Sequence, residues 1–435
     1  MSRLMTLSLA VMLVNIPAFI LNPAQASNSN IGMEPDEKFP QSGQALSLEG
    51  AVKLALTSDD PYLLQPSEMA SSYEARAVSD AQLPDPKIQM KFANWPTNSF
   101  RYSQEAMTQL QLGVSQAFPK GDTLSLRRAR RQDQAMGERH TRDLRVREVI
   151  LDTRLTWLEL HYNIQARIKV AESRQAVAEL VEVIQAIYAT GRQTSQDILR
   201  AELELSLLDD RLVEIDRMTS MLRAKLARRV GAVAYTAVVP VRMPALQHPA
   251  DVTAVLARME QHPAALMFKS KIDVADRDVR IAGEQYKPGW AVNVGYGARG
   301  GNRADFASVG VSMDVPLFTG KRQDKQVLAA KKARQASKLS RDTVLLDLRR
   351  KLQVSRADWE RLAERISLYQ SVVLVRAKDT SRATLSSYQS GVSDFPELVR
   401  SRLGELDAEL KLLRLKSDRL KAQSRLLFLE GEDDA

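Results

Sequence analysis

Tyr188-Ala189-Thr190-Gly191, followed by Asp197-Ile198-Leu199-Arg200, returns as Tyr388-Gln389-Ser390-Gly391, followed by Glu397-Leu398-Val399-Arg400. Tyrosine, glycine, acid and arginine each recur at an offset of 200 residues. In both copies a long charged helical pattern runs into the tyrosine, the glycine stops it, and a second helical pattern starts within a few residues. Glycine ends helices because it alone enters the left-handed region cheaply. The spacing predicts two long helical hairpins of like design, so the chain is a duplication.

The arms leading into the two turns match as well. Leu345, Leu348, Leu352, Ser355, Trp359, Leu362, Ile366, Tyr369 and Val373 alternate steps of three and four, a heptad seam with one polar break. Val146, Ile150, Thr153, Trp157, Leu160 and Ile164 lie 202 residues before Leu348, Leu352, Ser355, Trp359, Leu362 and Ile366. Tryptophan falls on tryptophan and polar break on polar break. The outgoing helices are expected over about 123–187 and 321–387, each roughly 100 Å long at 1.5 Å per residue. The return helices, about 195–230 and 394–429, carry seams of their own.

Before each outgoing helix the period changes to two. Ile88, Met90 and Phe92, then Leu110, Leu112, Val114 and Phe118, alternate with polar or small residues. Trp290, Val292, Val294 and Tyr296, then Val309, Val311, Met313, Val315 and Leu317, do the same in the second half. Such alternation argues for strands. Runs of 9–11 residues, apolar on one side only, suit a membrane β-barrel; an ordinary hairpin with one wet face has the same pattern.

The expected organisation is a signal peptide over 1–26, a first structural repeat over 27–231, a linker over 232–250 and a second repeat over 251–435. The first repeat holds short helices, a β-hairpin at 84–119 and a helical hairpin at 123–230. The second holds short helices, a β-hairpin at 288–318 and a helical hairpin at 321–429. Asp59-Asp60-Pro61 reads as the stop of a short helix, with the next beginning near Ser67. The linker, with Pro240, Pro244 and Pro249, reads as a strap lying outside the helices. The targeting segment rests on Arg3, the apolar run Leu4 to Ile20 and the small-x-small site Ala24-Gln25-Ala26.

Composition narrows the function. The chain of 435 residues has no cysteine, which excludes disulfides, thiolate metal sites, a cysteine nucleophile and a cysteine-borne lipid. Its four histidines, His140, His161, His248 and His262, have no metal-ligand spacing and read as surface or packing residues. No phosphate loop, nucleophile elbow or H-E-x-x-H occurs, so neither a catalytic site nor a cofactor is expected. The formal charge of +9 on long charged helices reads as solvated surface, and export argues against nucleic acid as a partner. Arg127-Arg128 and Arg130-Arg131 read either as a solvated helix start or as a contact with lipid phosphates.

At the turns, Asp197, Asp394 and Glu397 stand at the starts of the return helices, where acids complement the helix dipole. In a symmetric assembly inward-facing acids become a ring of like charge, and Arg200 and Arg400 are placed to pair with them. Four strands cannot close a barrel. Eight fill their own interior, and twelve leave a lumen. The residues themselves thus suggest an oligomeric membrane pore continued by a helical tunnel.

In Leu46-Ser47-Leu48-Glu49-x-Ala51, the two strand pairs, the strand-ending Pro119 and Pro316 and the two Tyr-x-x-Gly turns, the chain resembles the TolC-like outer-membrane efflux channel family. Leu83-Pro84-Asp85-Pro86, Asn94-Trp95-Pro96 and Gly113-Val114-Ser115-Gln116-x-Phe118-Pro119 look most like its heavy-metal branch, for copper/silver or cobalt/zinc/cadmium. The resemblance implies a mainly α fold with a small membrane β part: a homotrimer with four transmembrane strands per chain and an α-helical barrel crossing the periplasm of a Gram-negative bacterium. It implies outer-membrane lipid, a periplasmic adaptor (membrane fusion) protein and an inner-membrane pump of the resistance-nodulation-division type as partners. It implies that acids near the tips line the closed entrance, where Asp197 and Glu397 fall; with Arg200, Asp394 and Arg400 from the reading of the helix starts, these residues form the expected periplasmic gate, and adaptor contacts are expected at the tip turns Tyr188, Gly191, Tyr388 and Gly391. Arg400 stands where a second acid can occur in the family. A duct for drugs or secreted proteins, and an exported coiled coil without a pore, are the competing readings.

Overall fold

Two helices longer than any globular core needs run through the molecule, and the remaining elements are arranged along them. The computed structural model describes residues 45–188 and 195–431. The expected signal peptide, Gly191 and the acidic tail beyond Gly431 lie outside the described residues. The elements are α1 (Leu48–Thr57), α2 (Pro61–Ser79), β1 (Lys87–Ala93), β2 (Gln109–Phe118), α3 (Thr123–Tyr188), α4 (Ser195–Val230), α5 (Val233–Thr236), α6 (Val252–Arg258), α7 (Pro263–Glu284), β3 (Gly289–Arg299), β4 (Phe306–Asp314), α8 (Gln323–Leu368), α9 (Leu374–Gln389) and α10 (Phe395–Glu430).

The strands form one antiparallel sheet in the order β1-β2-β3-β4, so the hairpins of the two halves join through β2 and β3. Ile88, Val114, Val294 and Val309 form one cross-strand row, and Met90, Leu112 and Tyr296 form the next. β4 ends at Asp314, short of the expected Leu317, because Pro316 has no N–H for a ladder.

Each strand is continued by a helix, and the helices keep the order of the strands: α2 packs on α3, α3 on α7, and α7 on α8. Farther from the sheet, α4 and α10 take the places of α2 and α7 beside α3, and α10 packs on α8 and α9. The short helices therefore stack in pairs, α2 with α4 and α7 with α10, each pair spanning much of the length of a long helix.

A waist of core residues fastens the halves. Trp157 and Leu158 are buried with Leu46, Leu48 and Ala51 of the entry segment and Ala234, Ala237 and Val239. Trp157 Nε1 donates to the Leu46 carbonyl at 2.9 Å. The equivalent Trp359 donates to Gln423 Oε1 at 3.4 Å, and Gln423 Nε2 donates to the carbonyls of Leu246 and Gln247 at 3.2 and 2.7 Å. The linker is fastened along its length. It contains α5, bridges Ala45 through Val238, and buries small apolar residues against α3.

Asp60 is not only a stop. It is the N-cap of α2, accepting from the Tyr62 N–H at 3.0 Å with Pro61 at the first helical position, so α2 starts six residues before the expected Ser67. Asp60 also receives Arg228 and Arg229 at 3.0 Å each, tying the end of α4 to the waist. Burial alone would raise its carboxyl pKa. The hydrogen bonds from Arg228, the Tyr62 backbone and Arg229 outweigh it and hold the group below its usual range. Inside α2, Pro66 has no N–H for the Tyr62 carbonyl, and Arg145 Nη1 donates to that oxygen instead at 2.7 Å.

The second long helix is not one continuous α-helix. Tyr369–Val373 forms a π-helical turn between α8 and α9, whereas α3 runs unbroken for 66 residues. Along this seam Leu345, Leu348, Leu352, Ser355 and Trp359 are buried, and burial already fades at Leu362 and Ile366, before the π turn, which inserts an extra residue and shifts the seam beyond it.

Candidate functional site

The sheet presents two unlike faces. Ile88, Met90 and Phe92 are exposed with Leu112, Val114, Val294 and Tyr296, and β4 adds Val309, Val311 and Met313 on the same side. All nine residues of β4 are exposed. The opposite face carries Gln89, Lys91, Gln111, Asn293, Ser308 and Ser312, interspersed with Gly113, Gly295 and Gly310. An apolar surface this contiguous and this exposed has to be covered by something other than water. β1 and β4 are also open edges, each with unpaired backbone groups that seek another strand.

Aromatic side chains mark both ends of this face. Phe118 and Trp290 stack at 4.1 Å where the sheet meets the helices. At the loop end, Phe92 meets Trp95 edge-on at 5.1 Å, and Trp95 lies 5.8 Å from Tyr102. The loop between β1 and β2 is latched to the other hairpin. The Tyr102 hydroxyl donates to the Ala298 carbonyl at 2.5 Å, Arg299 to Ala106 at 3.2 Å, and Arg303 to the Ser103 and Glu105 carbonyls at 3.3 and 3.0 Å. Neither the aromatic ends nor the latch figured in the sequence reading. Aromatics at strand termini would have marked the first; the second joins residues nearly 200 positions apart and has no local sign.

The hairpin tips lie at the other end. Val181 and Ile184 of α3, Ala201 of α4, and Phe395 and Val399 of α10 share one buried cluster, so both return helices flank α3. In the second tip, Gly391 takes φ +78°, and the N–H groups of Val392 and Ser393 close on the Ser387 carbonyl at 2.9 and 3.2 Å. Tyr388 packs its ring on Phe395 at 5.9 Å. Asp394 is the N-cap of α10, accepting from the Glu397 N–H at 3.0 Å, and Glu397 accepts from Arg400 at 2.8 Å within the same helix. Glu397 and Arg400 are exposed. The structure therefore brings Tyr388, Gly391, Asp394, Glu397 and Arg400 together at one turn. In the first tip, Tyr188 is 46% exposed at the end of α3, Asp197 is half-buried in the first turn of α4, and Arg200 is exposed and, among the described residues, in no ion pair.

Between waist and tips the halves are joined by charge. Arg414 and Lys421 of α10 both donate to Glu159 of α3, and Lys421 is almost fully buried. Burial alone would raise the Glu159 carboxyl pKa, and the hydrogen bonds of Lys421 and Arg414 more than offset that and hold it below its usual range. Of the two arginine pairs, Arg130 binds Asp278 at 3.0 Å and Arg131 binds Asp80 at 2.7 Å, so these two hold α3 to its neighbours. His161 and His262 are buried packing residues. Among the described residues no group of three or more histidines or carboxylates is placed to hold a metal ion, and no helix is long and apolar enough to cross a membrane.

Residues 257–432 match the family described as outer membrane efflux protein, a description of transport and not of catalysis. No curated protein matches the chain by sequence. Among solved structures, the chain is similar to the outer membrane protein VceC of Vibrio cholerae, at 16% identity and a TM-score of 0.75, over 88% of this chain and 96% of that one. It is similar to CusC, whose structures concern transmembrane channel formation, at 12% identity and a TM-score of 0.74, over 88% and 92%. It is also similar to the CmeC outer membrane channel of Campylobacter jejuni, at 12% identity and a TM-score of 0.75, over 88% and 85%. These likenesses extend the fold over both halves, beyond the span matched by the family.

Proposed function

We propose that this chain is one subunit of a passive exit duct in the outer membrane of a Gram-negative bacterium, reaching into the periplasm. The observation that carries the reading is the four-stranded sheet with two open edges and one exposed apolar face, continued strand by strand into long helices. The apolar row faces lipid, the polar and glycine-rich face lines a lumen, and β4 of one copy pairs with β1 of the next. Three copies give twelve strands, enough for an open interior, and the helices of three copies close a tunnel.

The tips are the gate and the docking end. Asp197, Asp394 and Glu397, repeated by symmetry, form an acidic constriction that Arg200 and Arg400 partly neutralise. The turns around Tyr188, Gly191, Tyr388 and Gly391 receive a periplasmic adaptor that couples the duct to an inner-membrane pump of the resistance-nodulation-division type. The duct has no energy source of its own, so the pump selects the cargo. Heavy-metal cations are the cargo suggested by the motifs around Pro84, Trp95 and Pro119; drugs are the alternative. Replacing Asp197 and Glu397 together by alanine should raise single-channel conductance in planar bilayers by removing the like-charged ring. Unchanged conductance would remove these acids from the gate. Copper and drug sensitivity of a deletion strain, with and without the gene restored, separates the two cargoes.

A further inference from the structure

Where the strands pass into helices, an apolar belt lies beside exposed cations. Met313, Val315, Leu317 and Phe318 are 59%, 59%, 74% and 91% exposed, and the stacked Phe118 and Trp290 continue the belt across the sheet. Just beyond it, Arg127 and Arg128 of α3 and Lys321, Arg322 and Lys325 at the start of α8 are exposed. Among the described residues none of these five is in an ion pair. Arg130, Arg131 and Arg334, a little farther along the same helices, are all paired, with Asp278, Asp80 and Asp276. Of the acids near the junction, Glu284 and Asp122 pair with Lys287 at 2.7 and 3.7 Å, Asp324 accepts from the Tyr286 hydroxyl at 2.5 Å, and Asp314 lies on the polar face of β4, opposite the apolar belt.

Cations at the start of a helix oppose its dipole, so the fold holds five there without an internal counter-charge. Their depth is informative. Arg127 and Arg128 lie four and five residues into α3, about 6–8 Å along its axis at 1.5 Å per residue. The polar headgroup layer beyond the hydrocarbon of a bilayer is itself roughly 5–7 Å thick. If the belt marks the edge of the hydrocarbon, the cations stand among the phosphates.

Resting on the reading of the sheet as membrane-inserted, we infer that this junction is a docking collar for anionic phospholipid in the leaflet on the helix side. Arg127, Arg128, Lys321, Arg322 and Lys325 take the phosphodiester headgroups, and Leu317 and Phe318 seat among the acyl chains. A soluble phosphate would use the cations but leave the most exposed apolar side chains of the junction in water; a lipid satisfies both.

The test is competitive lipid retention. Full-length protein in mild detergent is mixed with equal amounts of phosphatidylglycerol and phosphatidylcholine of the same acyl chains, and the lipid that stays bound through size exclusion is counted by mass spectrometry. Each basic residue at an anionic surface strengthens association by about fivefold. The collar therefore predicts a preference for phosphatidylglycerol of about tenfold or more, which K321Q/R322Q/K325Q lowers at least fivefold. R376Q/R382Q, far along the helices, should leave it unchanged. If the triple variant does not fold, R127Q/R128Q is read in the same assay and should lose part of the preference. Equal retention of the two lipids by the parent chain, or an undiminished preference in the folded variants, overturns the collar. Conductance of the same preparation is measured in parallel: a conducting protein without lipid preference refutes the collar and leaves the duct standing, whereas no insertion sinks both.

Discussion

Val309→Arg tests which solvent the apolar face meets. Val309 is the fourth residue of the nine in β4, is 77% exposed, and lies across from Val294 in the row that includes Ile88 and Val114. At about 3.4 Å per residue it sits roughly 10 Å from the loop end of the strand and 17 Å from the helix end, near the middle of an apolar band about 25 Å tall. A cation on the lipid face at that depth costs about 2–4 kcal/mol. The neighbouring Gly310 has the same depth and the opposite face, and a Cβ built there meets nothing within 4 Å. Gly310→Arg should therefore change stability by less than about 1 kcal/mol. Equilibrium unfolding in phospholipid vesicles, followed by tryptophan fluorescence, measures both. If water covered the face, Val309→Arg would be one more surface substitution, within about 0.5 kcal/mol of the parent. That result, or equal penalties for the two variants, would refute lipid contact.

Two further outcomes follow from the helical part. Glu159→Ala leaves Lys421, nearly fully buried, with Asp418 at 3.6 Å as its remaining ion-pair partner, and should destabilise the fold by about 1–3 kcal/mol in chemical denaturation, with Glu159→Gln costing less. His262 caps α7, its ring accepting from the Ala264 N–H at 3.2 Å, and burial together with the charge of Arg147 pushes its pKa down from 6.5 to about 4. Because the folded value lies below the unfolded one, its contribution is present above pH 6.5 and is lost as pH falls toward 4. The loss amounts to about 2 kcal/mol by pH 5. His262→Asn keeps a capping side chain without the titration, and its unfolding free energy should fall less steeply between pH 7 and pH 5; parallel slopes would contradict this.

Much of the architecture was legible because it is periodic. The 200-residue offset survives in the fold as helix-ending glycines at Gly231 and Gly431, both with positive φ, and the 202-residue offset of the long helices as the paired tryptophans Trp157 and Trp359. The alternation at 88–92, 110–114, 290–296 and 309–313 marks the strands because every second residue is apolar. What was missed has no period. Asp60-Pro61 is chemically suited both to ending one helix and to capping the next; the Tyr62 N–H bond to Asp60 shows the cap, and the arginines arriving from α4 add a tie that has no local sign. The linker buries alanine and valine with no regular spacing. The π turn at Tyr369–Val373 continues the same apolar seam in sequence and departs from it only in the backbone. At the tips, the acids and arginines were legible as helix-start residues, and the local pairing of Arg400 with Glu397 follows from their spacing of three.

The proposed duct requires several copies of this sheet to close into a conducting pore. Purified protein lacking residues 1–26, added to a planar bilayer, should produce discrete current steps from a species whose mass corresponds to three chains, small at rest and larger when Asp197 and Glu397 are both alanine. A protein that stays soluble, runs as a single chain and gives no steps would contradict it and leave an exported coiled coil.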